Sequence, residues 1–397
     1  MKRIVRIITK TMCAIGYYCL TFFIPKDKKL WVFGCWKGRN FSDNSKALFE
    51  YVYNNQKDIN AVWIAKNKDI YELVKSLGYN VLDYSSIKAK WVVMRAGANI
   101  QTESNQDTGS YRVARSKIIQ LFHGFGALKE APLYPEMGRL KKTIVKIYAE
   151  NHSTSYWMLP SDYFLRRLPA LTDLNPKMAY VTGQPRIDVL FEKNEMPFFE
   201  SYRKDKNLKL ILYAPTHRNY AQSPNIDFSK EDRRSLNEFC KCRNYILFFK
   251  PHPLELYKYI NSFEDYSNLI LLSNDSSLYP SDVNEYMHYF DLLISDYSSI
   301  STDFLVYDRP IVHFMYDIDS FENKNFTLNA LETFQAGPIC KSWEDLFKSI
   351  DEGLNGDLYS NLRMRARNNA FRYVDNNNCE RVYKQICKIL KLNDEQE

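Results

Sequence analysis

The sequence predicts an α/β protein made of two doubly wound parallel-sheet halves of similar size, finished by C-terminal helices. Three observations predict it. Short runs of β-forming apolar residues alternate with helical patterns of about 10–15 residues, the rhythm of parallel βαβ units. That rhythm breaks at FEKNEMPFFESYRKDKNLK (191–209), which is charged and aperiodic, and then restarts. Finally, 397 residues, at roughly 100–200 per domain, give room for two or three domains with ample cores.

Composition narrows the function classes. A hydrophobic share of 45% with 25% charged residues is ordinary for a globular chain and argues against disorder. With 13 Gly and 15 Pro, collagen-like and low-complexity readings fall away. Lys plus Arg (54) less Asp plus Glu (47) leaves +7, a mild excess that suits an anionic substrate or an anionic membrane surface. Nucleic-acid binders concentrate their basic residues more strongly, so no nucleic-acid partner is expected. The eight Cys show no CxxC pair and no zinc-like Cys/His spacing, which predicts reduced, buried thiols and a cytosolic environment.

The chain opens with Lys2, Arg3, Arg6 and Lys10 before an apolar run from Met12 to Ile24, closed by Pro25 and followed by Lys26, Lys28 and Lys29. The run is shorter than the roughly 20 residues a membrane-spanning helix needs. No small-x-small cleavage site follows it. Residues 1–25 therefore read as a basic, aromatic-rich helix lying on the cytoplasmic face of the membrane, the competing reading being a helix packed on the protein itself.

From Leu30 the alternation begins. LWVFGC (30–35) and NAVWIAK (60–66) read as strands, SKALFEYVYNN and IYELVKSLGYN as helices, the second closed by Gly78. KWVVMRAGANIQT, SKIIQLFHG, YWMLPS and KMAYVTG continue the strand series. After the break come LKLILYAPT, YILFFKPHP, NLILLS, FDLLISDYSS and RPIVHFMY, then three helical stretches between about 340 and 390. The boundaries expected are a 1–25 segment, a first domain over 26–200 and a second over 201–397.

Ligands of open α/β sheets bind beyond the carboxyl ends of the strands, so the polar residues there are the candidates. His123 follows IIQLF directly and precedes Gly124, Phe125 and Gly126, a His placed for general-base work on a loop that backbone can bring close to a ligand. Thr216, His217 and Arg218 end one strand of the second half; Lys250 and His252, between stiffening prolines, end another. Two loops with a cation and a His each suggest an anionic ligand. In FDLLISDYSSISTDFLVYDRPIVHF (290–314) a strand ends at Ser295, and Asp296, Tyr297, Ser298 and Ser299 lead into a helix with Ser as its expected cap. GxxxxGK[ST], GxSxG and HExxH are absent, which excludes a P-loop ATPase and disfavours an α/β-hydrolase or zincin. No metal cluster is visible, and no tightly bound metal or cofactor is expected.

Together these segments resemble the CDP-glycerol glycerophosphotransferase family, the teichoic-acid primases and polymerases and related capsule and surface-polymer enzymes. LFHGFGALK (121–129), GQPRIDVL (183–190), LYAPTHR (212–218), KPHP (250–253) and DLLISDYSSISTDFLVYDRPIVHF (291–314) occur in the family's order, with GRNFSDNSKALFEYV (38–52) upstream and QAGPICKSWEDL (335–346) downstream. The resemblance covers about residues 30–350. Departures are Phe122 for the usual Trp, Phe125-Gly126 for Thr-Pro, His217 for Trp, Ser45 for Pro and Arg39 for Lys; they bear on donor and acceptor identity more than on reaction type.

The resemblance implies a GT-B-like fold, two Rossmann-like halves facing a cleft, with an N-terminal acceptor domain and a C-terminal nucleotide-donor domain. It implies transfer of glycerol phosphate, or a related polyol phosphate, from a CDP-activated donor to a hydroxyl of a lipid-linked or polymer acceptor, releasing CMP. Carried over by position, His123 is the base and His252 the group serving the transferred phosphate or the leaving side. Thr216, Arg218, Lys250, Ser295, Asp296, Ser298 and Ser299 would hold the donor. Gly124, Lys129, Arg186, Asp188, Arg39 and Asn44 would line the acceptor side or cleft. The expected partners are thus the CDP-polyol, the acceptor and an anionic membrane surface, and a homo-oligomer is compatible with the chain. Two other readings stay open: a GT-B glycosyltransferase using a nucleotide sugar, and a non-catalytic polymer-binding subunit.

Overall fold

A computed structural model describes residues 9, 12–13, 16–17, 19–109, 113, 115–126, 155–171, 174–216, 228–252, 255–273, 276–280, 282–321 and 330–392. The chain divides into two compact units: Met1–His123 with Leu133–Val189 and Arg372–Glu397, and Gly124–Pro132 with Leu190–Phe371.

The first unit is built on a sheet of β1 (Asp27–Phe33), β2 (Asn60–Ala65), β3 (Val81–Asp83), β4 (Ala96–Gln101), β5 (Lys117–Gln120), β6 (Tyr156–Leu159) and β7 (Ala179–Val181). All pairs are parallel, in the order β3-β2-β1-β4-β5-β6-β7. The strands read as continuous apolar runs because helices cover both faces. Trp31, Phe33, Trp63, Ala98 and Ile100 pack on one face with Leu48, Phe49 and Val52 of helix Asp43–Asn55. Leu30, Val32, Val62 and Ile64 pack on the other with Ala89 and Val93 of helix Ile87–Arg95. Phe49 meets Trp63, Phe33, Tyr53 and Tyr79 at ring separations of 5.3–5.7 Å. Such pairs add about 0.5–1.5 kcal/mol beyond area burial, which gives a chain that is 15% aromatic a use for those residues.

Local signals place the helices. Asn67 accepts from the Ile70 N–H at 3.1 Å, and Ser86 from the Ala89 N–H at 3.0 Å, each capping a first turn. Gly78, at φ +79°, ends the helix Lys68–Ser76 as its position suggests. One expectation is corrected: within KWVVMRAGANIQT, Lys90–Arg95 closes the helix begun at Ile87 and only Ala96–Gln101 is strand. Ala89 and Val93 are buried one turn apart while Trp91 stays 48% exposed, a helical pattern hidden in a β-branched run.

The second unit repeats the winding with β8 (Lys209–Tyr213), β9 (Tyr245–Phe249), β10 (Leu269–Leu271), β11 (Leu292–Ser295), β12 (Ile311–Phe314) and β13 (Ile339–Cys340), in the order β10-β9-β8-β11-β12-β13, all parallel. Its core joins Ile211, Leu247, Phe249, Leu292 and Ile294 to Leu236 and Cys240 of helix Lys230–Cys242 and Leu346 and Ile350 of helix Trp343–Asn355. Both sheets therefore have the strand order of a doubly wound Rossmann-like unit.

The last helix, Asn378–Leu390, belongs to the first unit, whereas a boundary near residue 200 assigned it to the second. Val382, Ile386 and Leu390 join the cluster around Trp31 and Phe49. At its start the Asp188 carboxylate accepts from the N–H groups of Asn378 (2.9 Å) and Cys379 (2.7 Å), two of the donors a helix start leaves unpaired. A linear reading cannot see such a return of the chain. The thiols are free; Cys35, Cys240, Cys340, Cys379 and Cys387 are buried as expected, but Cys13, Cys19 and Cys242 are exposed. Cys242 lies two residues beyond buried Cys240, off its helix's core face. Among the described residues no helix is long and apolar enough to cross a membrane.

Candidate functional site

In the first unit the strand order reverses between β1 and β4, and the loops leaving those strands are tied together. Asp107, on the loop after β4, accepts from the Lys37 N–H at 2.7 Å with one oxygen and from Thr102 and Glu103 N–H at 3.0 and 2.8 Å with the other. Burial pushes its carboxyl up to about 6 against the opposing pull of those N–H groups. The approach is close. A Cβ on Gly34, just after β1, would stand 2.3 Å from the Asp107 carbonyl, so only glycine fits. Trp36 and Lys37 follow with φ of 47° and 58°, a left-handed turn that non-glycine residues keep only where the surroundings impose it.

His123 projects beside that turn. Its Nδ1 lies 3.3 Å from the Thr102 carbonyl. A carbonyl can only accept, so in the neutral ring Nδ1 carries the hydrogen and Nε2 the lone pair. The Trp36 ring covers the imidazole at 4.5 Å. The backbone on either side is held as well. Phe122, at φ 52°, donates its N–H to Gln120 Oε1 at 3.0 Å, and its carbonyl accepts from Asn44 Nδ2 at 2.7 Å. The His123 carbonyl accepts from Arg186 at 3.2 Å, and the same guanidinium pairs with Asp43 at 3.2 Å. Asn44 also donates to Gln184 and accepts from the Arg186 N–H. Asn44 and Arg186 thus orient the His123 loop.

The second unit has a matching construction where its strand order reverses, between β8 and β11. Asp296, after β11, accepts from the Thr216 N–H at 2.9 Å and its hydroxyl at 2.6 Å, on the loop after β8. The buried Ser295 hydroxyl donates to the Ala214 carbonyl at 2.9 Å. Ser298 and Ser299 follow, half-buried. A Ser stands at the cap as expected: Ser299 is the cap residue, though its side chain makes no capping bond, and the helix Ile300–Phe304 spans five residues. Lys250 and His252 follow β9, half-buried; burial lowers the Lys250 pKa and Asp282 partly offsets this. Gly124 and Gly126 count with this unit, and the Gly126 carbonyl accepts from the Thr302 hydroxyl at 2.6 Å.

Several predicted residues make hydrogen bonds within the chain. The Asp188 carboxylate accepts from the start of the terminal helix, the Ser295 hydroxyl donates to the Ala214 carbonyl, and Asp296 accepts from Thr216. Arg39 is exposed. Arg218, His217 and Lys129 lie outside the described residues. Sequence reasoning passed over Trp36, Thr102, Asp107 and Gln184. The glycines framing GCWKG were the only signal for that turn. It also passed over His313, fully buried on β12 opposite Ser295, whose Nε2 accepts from the Ala336 N–H at 3.1 Å and whose pKa burial lowers to about 4. Among the described residues no three His, Cys, Asp or Glu side chains are grouped to hold a metal ion.

Comparison with known proteins agrees with this layout. A family model described as CDP-Glycerol:Poly(glycerophosphate) glycerophosphotransferase matches residues 17–388. The chain is 24% identical over 352 residues to a teichoic acid ribitol-phosphate polymerase, TarL, of Staphylococcus aureus, covering 85% of this chain and 59% of that protein. It is 28% identical over 352 residues to a teichoic acid poly(glycerol phosphate) polymerase of Bacillus spizizenii, covering 84% of this chain and 85% of the relative. Among solved structures, the wall teichoic acid polymerase TagF superposes with a TM-score of 0.71 at 22% identity over 100% of this chain and 99% of that one. An S. aureus MnaA–UDP structure follows at 0.59 and 14% over 91% and 97%. At these identities the structural likeness speaks for the fold.

Proposed function

The chain belongs to the CDP-glycerol:poly(glycerophosphate) glycerophosphotransferase family, and from that premise we propose that it transfers a polyol phosphate from a CDP-activated donor to a hydroxyl of a wall-polymer acceptor. One observation carries the reading: His123 is fixed with Nδ1 on the Thr102 carbonyl and Nε2 free to take a proton, on a loop held from both sides. The acceptor oxygen attacks the phosphorus that bears the polyol and its proton passes to Nε2. The bond to the bridging oxygen breaks, and CMP leaves with the electron pair. Such a reaction needs positioning and charge stabilisation more than covalent help.

In this reading the second unit handles the donor. Thr216, Lys250, Ser298 and Ser299, with Arg218, face the diphosphate and ribose, and His252 serves the transferred phosphate or the leaving side. Lys250 is desolvated, which strengthens its pull on phosphate oxygens. Asn44 and Arg186 act as positioning residues. Residues 1–25 rest on the cytoplasmic membrane surface. Supporting this, Leu20, Phe22 and Phe23 are 53%, 57% and 86% exposed beside the basic flank.

The test is a donor panel. CDP-glycerol, CDP-ribitol and UDP-sugars are offered with lipid-linked acceptors, and products are followed by mass spectrometry. Polyol-phosphate addition with CMP release is expected. UDP release from a UDP-sugar would establish the glycosyltransferase reading instead, and no transfer from any donor would leave the binding-subunit reading. Deleting residues 1–25 is expected to move the protein from the membrane fraction to the soluble one; unchanged sedimentation rejects the anchor.

A further inference from the structure

Among the described residues, buried side-chain atoms without a hydrogen-bond partner concentrate on one stretch of chain, Asn99 to Thr108. They are both amide atoms of Asn99, Oε1 of Gln101, Oγ1 of Thr102, both amide atoms of Asn105 and Oγ1 of Thr108. Elsewhere they occur singly, on Ser45, Trp63, Arg233, His288 and His313. All five clustered residues are at most 2% exposed. Each such atom costs about 1–3 kcal/mol when left unpaired. Together they would consume a large part of the roughly 5–15 kcal/mol by which a domain is stable. A fold keeps such a set where something pairs with it.

The cluster sits where the first unit's strand order reverses, the position at which open α/β sheets bind ligands. Asn99 lies between Val32 of β1 and Ile118 of β5, and Gln101, two residues on, shares its face opposite Gln120. Thr102 is the residue whose carbonyl holds His123. Asn105 and Thr108, three apart across the 3₁₀ turn Asn105–Asp107, fall on one side of it. The Thr108 methyl is 3.3 Å from where a Cβ on Gly34 would stand.

The chemistry of the set selects its ligand. Amides offer donors and acceptors, hydroxyls offer both, and none of these groups is charged. The same stretch carries the buried Asp107 carboxylate, already engaged by N–H groups of Lys37, Thr102 and Glu103, and it disfavours an anion. A neutral, hydroxyl-rich group fits; a phosphate does not. We propose that Asn99, Gln101, Thr102, Asn105 and Thr108 form the acceptor subsite, holding the terminal polyol hydroxyls and presenting one of them to His123. This rests on the transferase reading above.

The test uses the full chain and two isosteric or near-isosteric variants, Thr108→Val and Asn99→Leu. Binding of glycerophosphoglycerol, a soluble acceptor end, is followed by ligand-observed NMR. Acceptor-dependent CMP release from CDP-glycerol is followed with a lipid bearing a glycerol-phosphate terminus. Both variants are expected to weaken glycerophosphoglycerol binding and raise the acceptor KM about tenfold, one lost hydrogen bond of about 1.4 kcal/mol, with the KM for CDP-glycerol at the wild-type value. Thr108→Val is expected to melt at or above the wild-type temperature without acceptor, since a methyl replaces an unpaired hydroxyl. Wild-type-like binding and acceptor KM in both variants overturns the subsite. So does a raised donor KM alone, or a lowered melting point with unmoved acceptor KM, which marks internal water or a structural role. If the wild type binds the probe, the variants do not, and nothing releases CMP, the subsite stands and the transferase reading fails.

Discussion

The two units are wound alike and strapped alike, yet they surround the strap with opposite chemistry. In each, the strand order reverses beside its first strand, and a carboxylate on the loop after the fourth strand accepts hydrogen bonds from the loop after the first: Asp107 from Lys37, Asp296 from Thr216. Around Asp107 lie neutral amides and hydroxyls and one oriented histidine. The second unit instead sets Ser298 and Ser299 beyond Asp296 and carries a desolvated lysine and a histidine on the loop after β9. The winding decides where a ligand goes. In the proposed reading, the residue types at the strap decide which one, a hydroxyl-rich acceptor or an anionic donor.

The difference extends to titration, where the two units should respond in opposite directions. His313 is depressed to about 4 in the folded chain against an ordinary 6.5. Its contribution is therefore present above 6.5 and lost as pH falls through about 4, up to about 3 kcal/mol. Replacing it (His313→Gln, which keeps an acceptor for Ala336) is expected to flatten that part of the denaturant-stability profile. Asp107 is raised to about 6 from 3.8. Its contribution is present below 3.8 and lost as pH rises through about 6, a slightly smaller span that is again about 3 kcal/mol. Wild-type stability minus that of Asp107→Asn should thus fall between pH 4 and 6 and level off above 7. Slopes of the same sign for both residues would break the contrast.

What the sequence made legible follows from how local each feature is. The alternating runs, and the His, Lys and Ser residues just after strand ends, are local, so His123, Lys250, His252 and the SDYSS segment could be singled out from pattern alone. The Asp107 strap joins residues 70 apart, the Asp296 strap residues 80 apart, and Asp188 meets a helix about 190 residues downstream. No local pattern carries such pairings, which is why Asp188 and Asp296 read as ligand-facing although their oxygens bind the chain itself. Trp36 was hidden for another reason. Its place over His123 comes from a left-handed turn that aromatic residues seldom adopt.

In the proposed reaction His123 takes the acceptor's proton while CMP leaves. Its most direct test is acceptor-dependent CMP release from CDP-glycerol by the wild type and by His123→Ala, with unfolding followed on the same samples. The expected result is CMP release matched by lipid product in the wild type, falling by about 10²–10⁴-fold in the variant with an unfolding profile near that of the wild type. Near-wild-type turnover in His123→Ala would contradict the account.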